Sequence, residues 1–227
     1  MAGIKTGYKP ETTTQVVVSN CPRREHAKLK FRGIPFGPII NGKEFRWNTY
    51  LEYLQAMKGN YMEFDGWKFD LDYGLIYLRE RREAWVKYIP PSGLAGKRVL
   101  DVGGGCGESA KFFLDNGAES VHVLENNEKC RQYLQANHSH DNRMTFEIVD
   151  FQGSEASDGY DLVKIDIEGY EMRLVPYLDK LNTDIIIESH CNYITDTFLD
   201  KGFSLLNSYK ENKEIYGGVV YIYRLKL

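Results

Sequence analysis

Residues 161–175, DLVKIDIEGYEMRLV, gather Lys164, Asp166, Glu168 and Glu171 around Gly169, and His190 follows the next apolar run, DIIIES. Carboxylates at this density have three uses. They can act as acid–base groups, they can ligate a divalent cation together with the imidazole, or they can cap a helix start and complement its dipole. For Glu171, at the start of a helical pattern, the capping use fits best.

A second unusual stretch lies upstream in VLDVGGGCGES, residues 99–109. An apolar run leads into it and a helical pattern leaves it, which is the context of a nucleotide-binding loop. Glycines there let the backbone take positive φ and approach a ligand closely. A dinucleotide fingerprint would need its third glycine where Glu108 stands. The glycine is instead Gly107, giving Gly103-x-Gly105-x-Gly107 preceded by Asp101. A carboxylate facing this loop suits a cationic ligand better than a pyrophosphate, and no lysine stands where a phosphate loop requires one. Glu125, with Asn126 after it, ends the next strand and can accept hydrogen bonds from both hydroxyls of a ribose. Asp150 ends the third strand, where it can take an adenine amino group with Phe151 beside the ring.

These groups need a frame that brings strand ends together. From position 97 onward, strand-like segments (98–102, 120–124, 144–149, 161–165, 184–188) alternate with helix-like ones (109–116, 127–137, 170–180, 192–201). Two strands, 203–209 and 219–225, close the chain around a turn containing Gly217-Gly218. The alternation predicts βαβ units and a parallel sheet covered on both faces, while the last two strands form an antiparallel hairpin at one edge. The expected fold class is α/β, a Rossmann-like, doubly wound, mostly parallel sheet with an antiparallel C-terminal hairpin. Residues 1–96 read as an N-terminal α+β extension. In it, YMEFDGWKFDL alternates about Asp65-Gly66 as a hairpin does. Residues 48–58 and 79–88 pattern as amphipathic helices, and residues 1–20 read as loose surface chain.

Composition excludes several classes. With 42% hydrophobic and 27% charged residues, the 227-residue chain suits a soluble globular protein. No apolar stretch reaches the roughly 20 residues of a bilayer span. The start, MAGIKTGYKPETTTQVVV, lacks the pattern of a secretory leader. Cys21, Cys106, Cys130 and Cys191 have no CxxC spacing, so reduced thiols and a cytoplasmic location are expected. Charge is uneven: residues 1–98 carry 17 Lys+Arg against 10 Asp+Glu, and residues 99–227 carry 12 against 22. The cluster of Arg23, Arg24, Lys28, Lys30 and Arg32 can attract phosphate or an anionic polymer, or can simply pair with the acidic half.

VLDVGGGCG and VHVLE resemble the first and second motifs of the class I S-adenosylmethionine-dependent methyltransferases. VKIDIEGYE followed by DIIIESH resembles, more narrowly, the FkbM family. The likeness covers residues 97–227. It implies S-adenosylmethionine as cofactor, with Asp101, Gly103, Gly105, Gly107, Glu125, Asn126, Asp150 and Phe151 in contact with it, and methylation of a hydroxyl on a small molecule or sugar.

In an open parallel sheet the ligand lies beyond the carboxyl ends of the strands. Asp166 and Glu168 follow the fourth strand and His190 follows the fifth, so they can converge there. In-line transfer needs an acceptor held collinear with the breaking bond, and a hydroxyl acceptor must also lose its proton. His190 suits the base, with an unperturbed pKa of about 6.5, and Asp166 is the next candidate as base or orienter. No Asn/Asp-Pro-Pro-Tyr motif follows the fourth strand, which disfavours N-methylation of adenine or glutamine. The ligand pattern of magnesium-dependent O-methyltransferases is not reproduced, so no metal is expected. Residues 1–96 match no known motif and are expected to cap the acceptor side. Two alternatives stand beside this reading: an RNA or nucleotide methyltransferase using the basic front part, and a non-catalytic cofactor-binding module.

Overall fold

The structure is a computed structural model that describes residues 15–18, 27–31, 38–40, 43–44, 57–58, 61–81, 85–181, 183–189, 192–210 and 219–225. The chain divides into two compact units, Met1–Arg79 and Glu80–Leu227. The second unit therefore takes in residues 80–96, which the sequence pattern placed in the extension.

In the first unit, β1 (Gln15–Val18), β2 (Ala27–Phe31), β3 (Pro38–Ile40) and β4 (Lys43–Glu44) form an antiparallel sheet in that order. Strand β1 departs from the loose chain expected over 1–20, because its β-branched run Val16-Val17-Val18 pairs with β2. Arg23, Arg24 and Arg32 of the basic cluster lie outside the described residues. Strands β5 (Met57–Lys58), β6 (Tyr61–Phe64) and β7 (Trp67–Phe69) make a second antiparallel sheet. The β6–β7 hairpin turns on Asp65 (φ 49) and Gly66 (φ 81), both in the left-handed region that a two-residue type I′ turn demands. The helix expected over 48–58 ends in β5 instead, and residues 48–56 lie outside the described ones.

Helix α1 is Leu71–Glu80, started by the Asp70 carboxylate accepting from the Asp72 amide at 3.1 Å. It replaces the helix expected over 79–88, where a 3-10 turn, Trp85–Tyr88, stands. Tyr77 of α1 packs its ring 5.4 Å from Phe69 and 5.6 Å from Phe64.

The second unit is built on seven strands: β8 (Arg98–Val102), β9 (Ser120–Glu125), β10 (Met144–Ile148), β11 (Leu162–Ile165), β12 (Asp184–Ser189), β13 (Phe203–Lys210) and β14 (Val219–Leu225). Their order is β10-β9-β8-β11-β12-β14-β13. The first five run parallel, and β14 is antiparallel to both its neighbours. This is the expected Rossmann-like sheet with its closing hairpin, and β14 rather than β13 lies against β12.

Helices α2 (Glu108–Asp115), α3 (Arg131–His140) and α4 (Asn192–Asp200) lie in the β8–β9, β9–β10 and β12–β13 connections. The α-helix expected over 170–180 is a 3-10 stretch, Glu171–Lys180, with Pro176 inside it. Proline has no N–H to close an α-type bond, and its ring clashes with the carbonyl four residues back. Strands β8, β11 and β12 are buried along almost their whole length, as parallel strands covered on both faces must be. Leu100, Val102, Val163, Ile165, Ile185 and Ile187 form the core with Leu174, Leu178, Phe198 and Phe203.

Strand order reverses at β8, which has β9 on one side and β11 on the other. The ends of β8 and β11 therefore flank the crevice where such sheets bind ligands. Among the described residues, no helix is long and apolar enough to cross a membrane.

Candidate functional site

The glycine loop leaves β8 and is fixed by the neighbouring strand ends together with side chains of α2 and α3. Gly103, Gly105 and Gly107 all hold positive φ, at 73°, 55° and 90°. The Gly103 amide donates to Leu124 O at 2.8 Å, tying the loop to β9. A Cβ at Gly103 would run into the Asp166 carbonyl oxygen, so the loops after β8 and β11 touch backbone to backbone there. The Gly105 amide donates to Glu125 Oε2 at 2.9 Å, and the Asn127 amide donates to Glu125 Oε1 at 2.7 Å. Glu125 lies buried at the end of β9 beside the loop, with both carboxylate oxygens engaged by backbone amides.

Asp101 faces the glycine loop, and its carboxylate is fully buried beneath it. Ser109 Oγ donates to Asp101 Oδ2 at 2.6 Å, and Lys164 Nζ lies 3.1 Å from Oδ1. The reason is register, since Asp101 of β8 stands directly opposite Lys164 of β11. Lys164, to which the residue pattern assigned no role, also donates to Gly103 O at 3.0 Å and lies 4.0 Å from Asp166 Oδ2. Burial would lower its pKa, but the Asp101 and Asp166 carboxylates more than reverse that and hold it above the ordinary lysine value.

Glu108, at the first position of α2, accepts from the Cys106 amide at 2.9 Å. Its pKa is raised well above the ordinary glutamate value, chiefly by burial, so it holds a proton more readily than a surface glutamate. Asn137 on α3 is fully buried and donates to Cys106 O at 2.9 Å, bracing the same loop from below. Lys164, Glu108 and Asn137 escape a sequence reading focused on strand ends. The signal they leave is a charged or amide residue on an otherwise apolar stripe.

At the end of β10, Asp150 remains half exposed and forms an ion pair with Arg173, Oδ2 to Nη1 at 2.6 Å. Hydrogen bonds from Arg173, Asn126 and Gln152 lower its pKa, with Arg173 the largest cause. Asn126 and Asp150 are thus brought together. Phe151 is not an open platform: its ring is buried in the core, and its carbonyl accepts from Arg173 Nη1 at 2.8 Å. An apolar ring gains more by burial among core side chains than by exposure at the surface.

After β11, the Asp166 amide donates to Val102 O at 3.1 Å, which keeps this residue against the carboxyl end of central strand β8. Glu168 holds φ 52, a left-handed conformation that costs a non-glycine residue free energy, and its side chain is exposed. Glu171 is buried, and its Oε1 accepts from the Gly169 amide at 3.0 Å, the structural role expected of it. His190 and Cys191 lie outside the described residues. Among the described residues, no group of three or more His, Cys, Asp and Glu side chains is arranged to hold a metal ion.

No protein-family model and no curated protein matches the sequence. Solved structures do match the fold. The N-methyltransferase NodS from Bradyrhizobium japonicum superposes with a TM-score of 0.54 at 10% identity, over 66% of this chain and 97% of that one. The M1A22 tRNA methyltransferase TrmK from B. subtilis superposes with a TM-score of 0.51 at 16% identity, over 65% of this chain and 66% of that one. At such identities the likeness is one of fold, that of the class I methyltransferases.

Proposed function

We propose that the chain is an S-adenosylmethionine-dependent methyltransferase that acts on a hydroxyl of a small molecule or sugar, in the manner of the FkbM family. The observation that carries this is the junction of the glycine loop with the end of β9, where the Gly105 amide meets Glu125 at 2.9 Å beside the strand-order reversal. The donor set suits the cofactor. Carboxylates end β9 and β10, positive-φ glycines let the backbone come close, and phosphate-binding lysine is missing from the loop.

Gly103, Gly105 and Gly107 line the cofactor's path, Glu125 accepts from the ribose hydroxyls, and Asn126 and Asp150 address the base. Asp101 contributes by holding the loop in shape through Ser109 and Lys164. Phe151 contributes through its place in the core beneath the base. The cofactor supplies an electrophilic methyl on a sulfonium. Asp166 and Glu168, at the mouth of the crevice, orient the acceptor hydroxyl, and His190 accepts its proton. A histidine, with an unperturbed pKa of about 6.5, is an efficient base for this transfer at neutral pH.

A second reading, methylation of RNA or a nucleotide, draws on the excess of Lys+Arg in residues 1–98 and on the fold shared with a tRNA methyltransferase. The test is calorimetric titration with S-adenosylmethionine, followed by labelled-methyl transfer to small-molecule extracts and to RNA. Label in a base-stable hydroxyl ether supports the first reading. Label in RNA, with strongly salt-dependent binding lost on neutralising Arg23, Arg24 and Lys28, supports the second. No affinity for the cofactor refutes both.

A further inference from the structure

We infer that Arg173 is a positioning residue for recognition of the cofactor's base, locking Asp150 in the orientation that accepts from an exocyclic amino group. This rests on the proposed placement of the adenine at Asp150. Arg173 belongs to the first turn of the 3-10 stretch after β11, while Asp150 lies two residues past the end of β10, so the contact joins two separate strand-end loops.

A single nitrogen, Arg173 Nη1, lies 2.6 Å from Asp150 Oδ2 and donates to Phe151 O at 2.8 Å. That pair of contacts fixes both the carboxylate and the backbone that carries it. Asn126 adds a side-chain hydrogen bond to the same carboxylate, and Gln152 Nε2 donates to Asp150 O at 2.7 Å. The guanidinium is itself held in place, with the Tyr170 ring centroid 4.9 Å away. Gly153 completes the contact: a Cβ there would strike the Arg173 carbonyl oxygen and the Tyr177 ring, so the chain after Asp150 seats directly on Arg173.

Charge and direction decide what this assembly does. A carboxylate on an exposed strand end would otherwise sample several rotamers. Arg173 occupies Oδ2 and Asn126 bonds the same carboxylate, and an ionised carboxylate, with about four acceptor sites, keeps capacity to accept from a ligand. An ionised carboxylate accepts from an amino group and repels a carbonyl, so the site selects a 6-amino purine over a 6-oxo purine. Arg173 supplies that selectivity without touching the ligand.

The test is titration calorimetry with S-adenosylhomocysteine and its inosine counterpart, in which the amino group is replaced by a carbonyl. The wild type is expected to prefer the adenine form by about tenfold to a hundredfold, the worth of one hydrogen bond to a charged acceptor. Asp150→Ala should erase that preference. Arg173→Gln should reduce it to about threefold or less while leaving the affinity for the inosine form within about threefold, and Arg173→Lys should recover part of it. Full preference retained in Arg173→Gln, with Asp150→Ala erasing it, overturns the inference and leaves the adenine placement standing. A wild type without preference overturns both. Equal loss of affinity for the two ligands in Arg173→Gln also overturns it, since that outcome marks a merely structural role.

Discussion

Replacing Lys164 by methionine removes the cation paired with Asp101 while keeping the length of the side chain. Lys164 and Asp101 have side-chain exposures of 4% and 0%, with Nζ 3.1 Å from Oδ1. Removing one partner of a buried pair costs about 3–5 kcal/mol, because the remaining charge is stranded away from water. At about 2–4 °C per kcal/mol for a chain of this size, the thermal midpoint should fall by roughly 6–20 °C. The double variant Lys164→Met/Asp101→Asn removes both charges, and the new amide oxygen still accepts from Ser109, so more than half of the loss should return.

The sign of the pH dependence follows from the raised pKa of Lys164. Its contribution is fully present below the unfolded value of about 10.4 and is lost as pH rises through the folded value. The gap between wild type and Lys164→Met should therefore be constant from about pH 6 to 9 and narrow only above about pH 10. Scanning calorimetry across that range is the assay. A fall of less than about 3 °C, or a double variant no better than the single, would refute the buried-pair account.

Glu108→Gln should behave in the opposite sense. Its raised folded pKa means that its contribution is greatest below about pH 4.3 and declines as pH rises, so the glutamine, which still accepts from the Cys106 amide, should raise the midpoint at pH 7 and leave it unchanged near about pH 4. Gly105→Val should abolish cofactor affinity by more than about a hundredfold, since it fills the loop and forces a β-branched residue to φ 55; calorimetry on protein shown to be folded by circular dichroism decides it, and retained affinity removes the loop from the site. His190→Ala should leave S-adenosylhomocysteine binding within about threefold and lower turnover by about 100- to 10,000-fold, and a turnover unchanged across pH removes His190 as base. Gly103→Ala should destabilise the unit independently of ligand, because the new methyl meets the Asp166 carbonyl; an unchanged urea midpoint would contradict the close approach of the two loops.

How far a residue's role can be read from the chain depends on how far away its partner lies. The sheet was legible because its signals are local: apolar runs, a glycine after the helical pattern, Asp65-Gly66 at a hairpin turn. Pro176 stands inside the segment expected as an α-helix, and its missing N–H and ring clash leave a 3-10 stretch instead. Helix α1 was obscured because Gly74 interrupts LDYGLIYLRE, although Asp70 at its start is a recognisable cap.

The acidic strand ends mark the limit. Asp101, Glu125 and Asp150 look alike in sequence, each an acid closing an apolar run. They differ in what comes to meet them. Asp101 meets a lysine 63 positions later, through a register that only the adjacency of β8 and β11 creates. Glu125 meets amides of its own and the preceding loop, and Asp150 meets an arginine from the next crossover. The first partner sits with its acid fully buried, the second set holds its acid buried beside the glycine loop, and the third pairs an acid that stays half exposed. The same residue type thus does three jobs, and the element that brings the donor decides which.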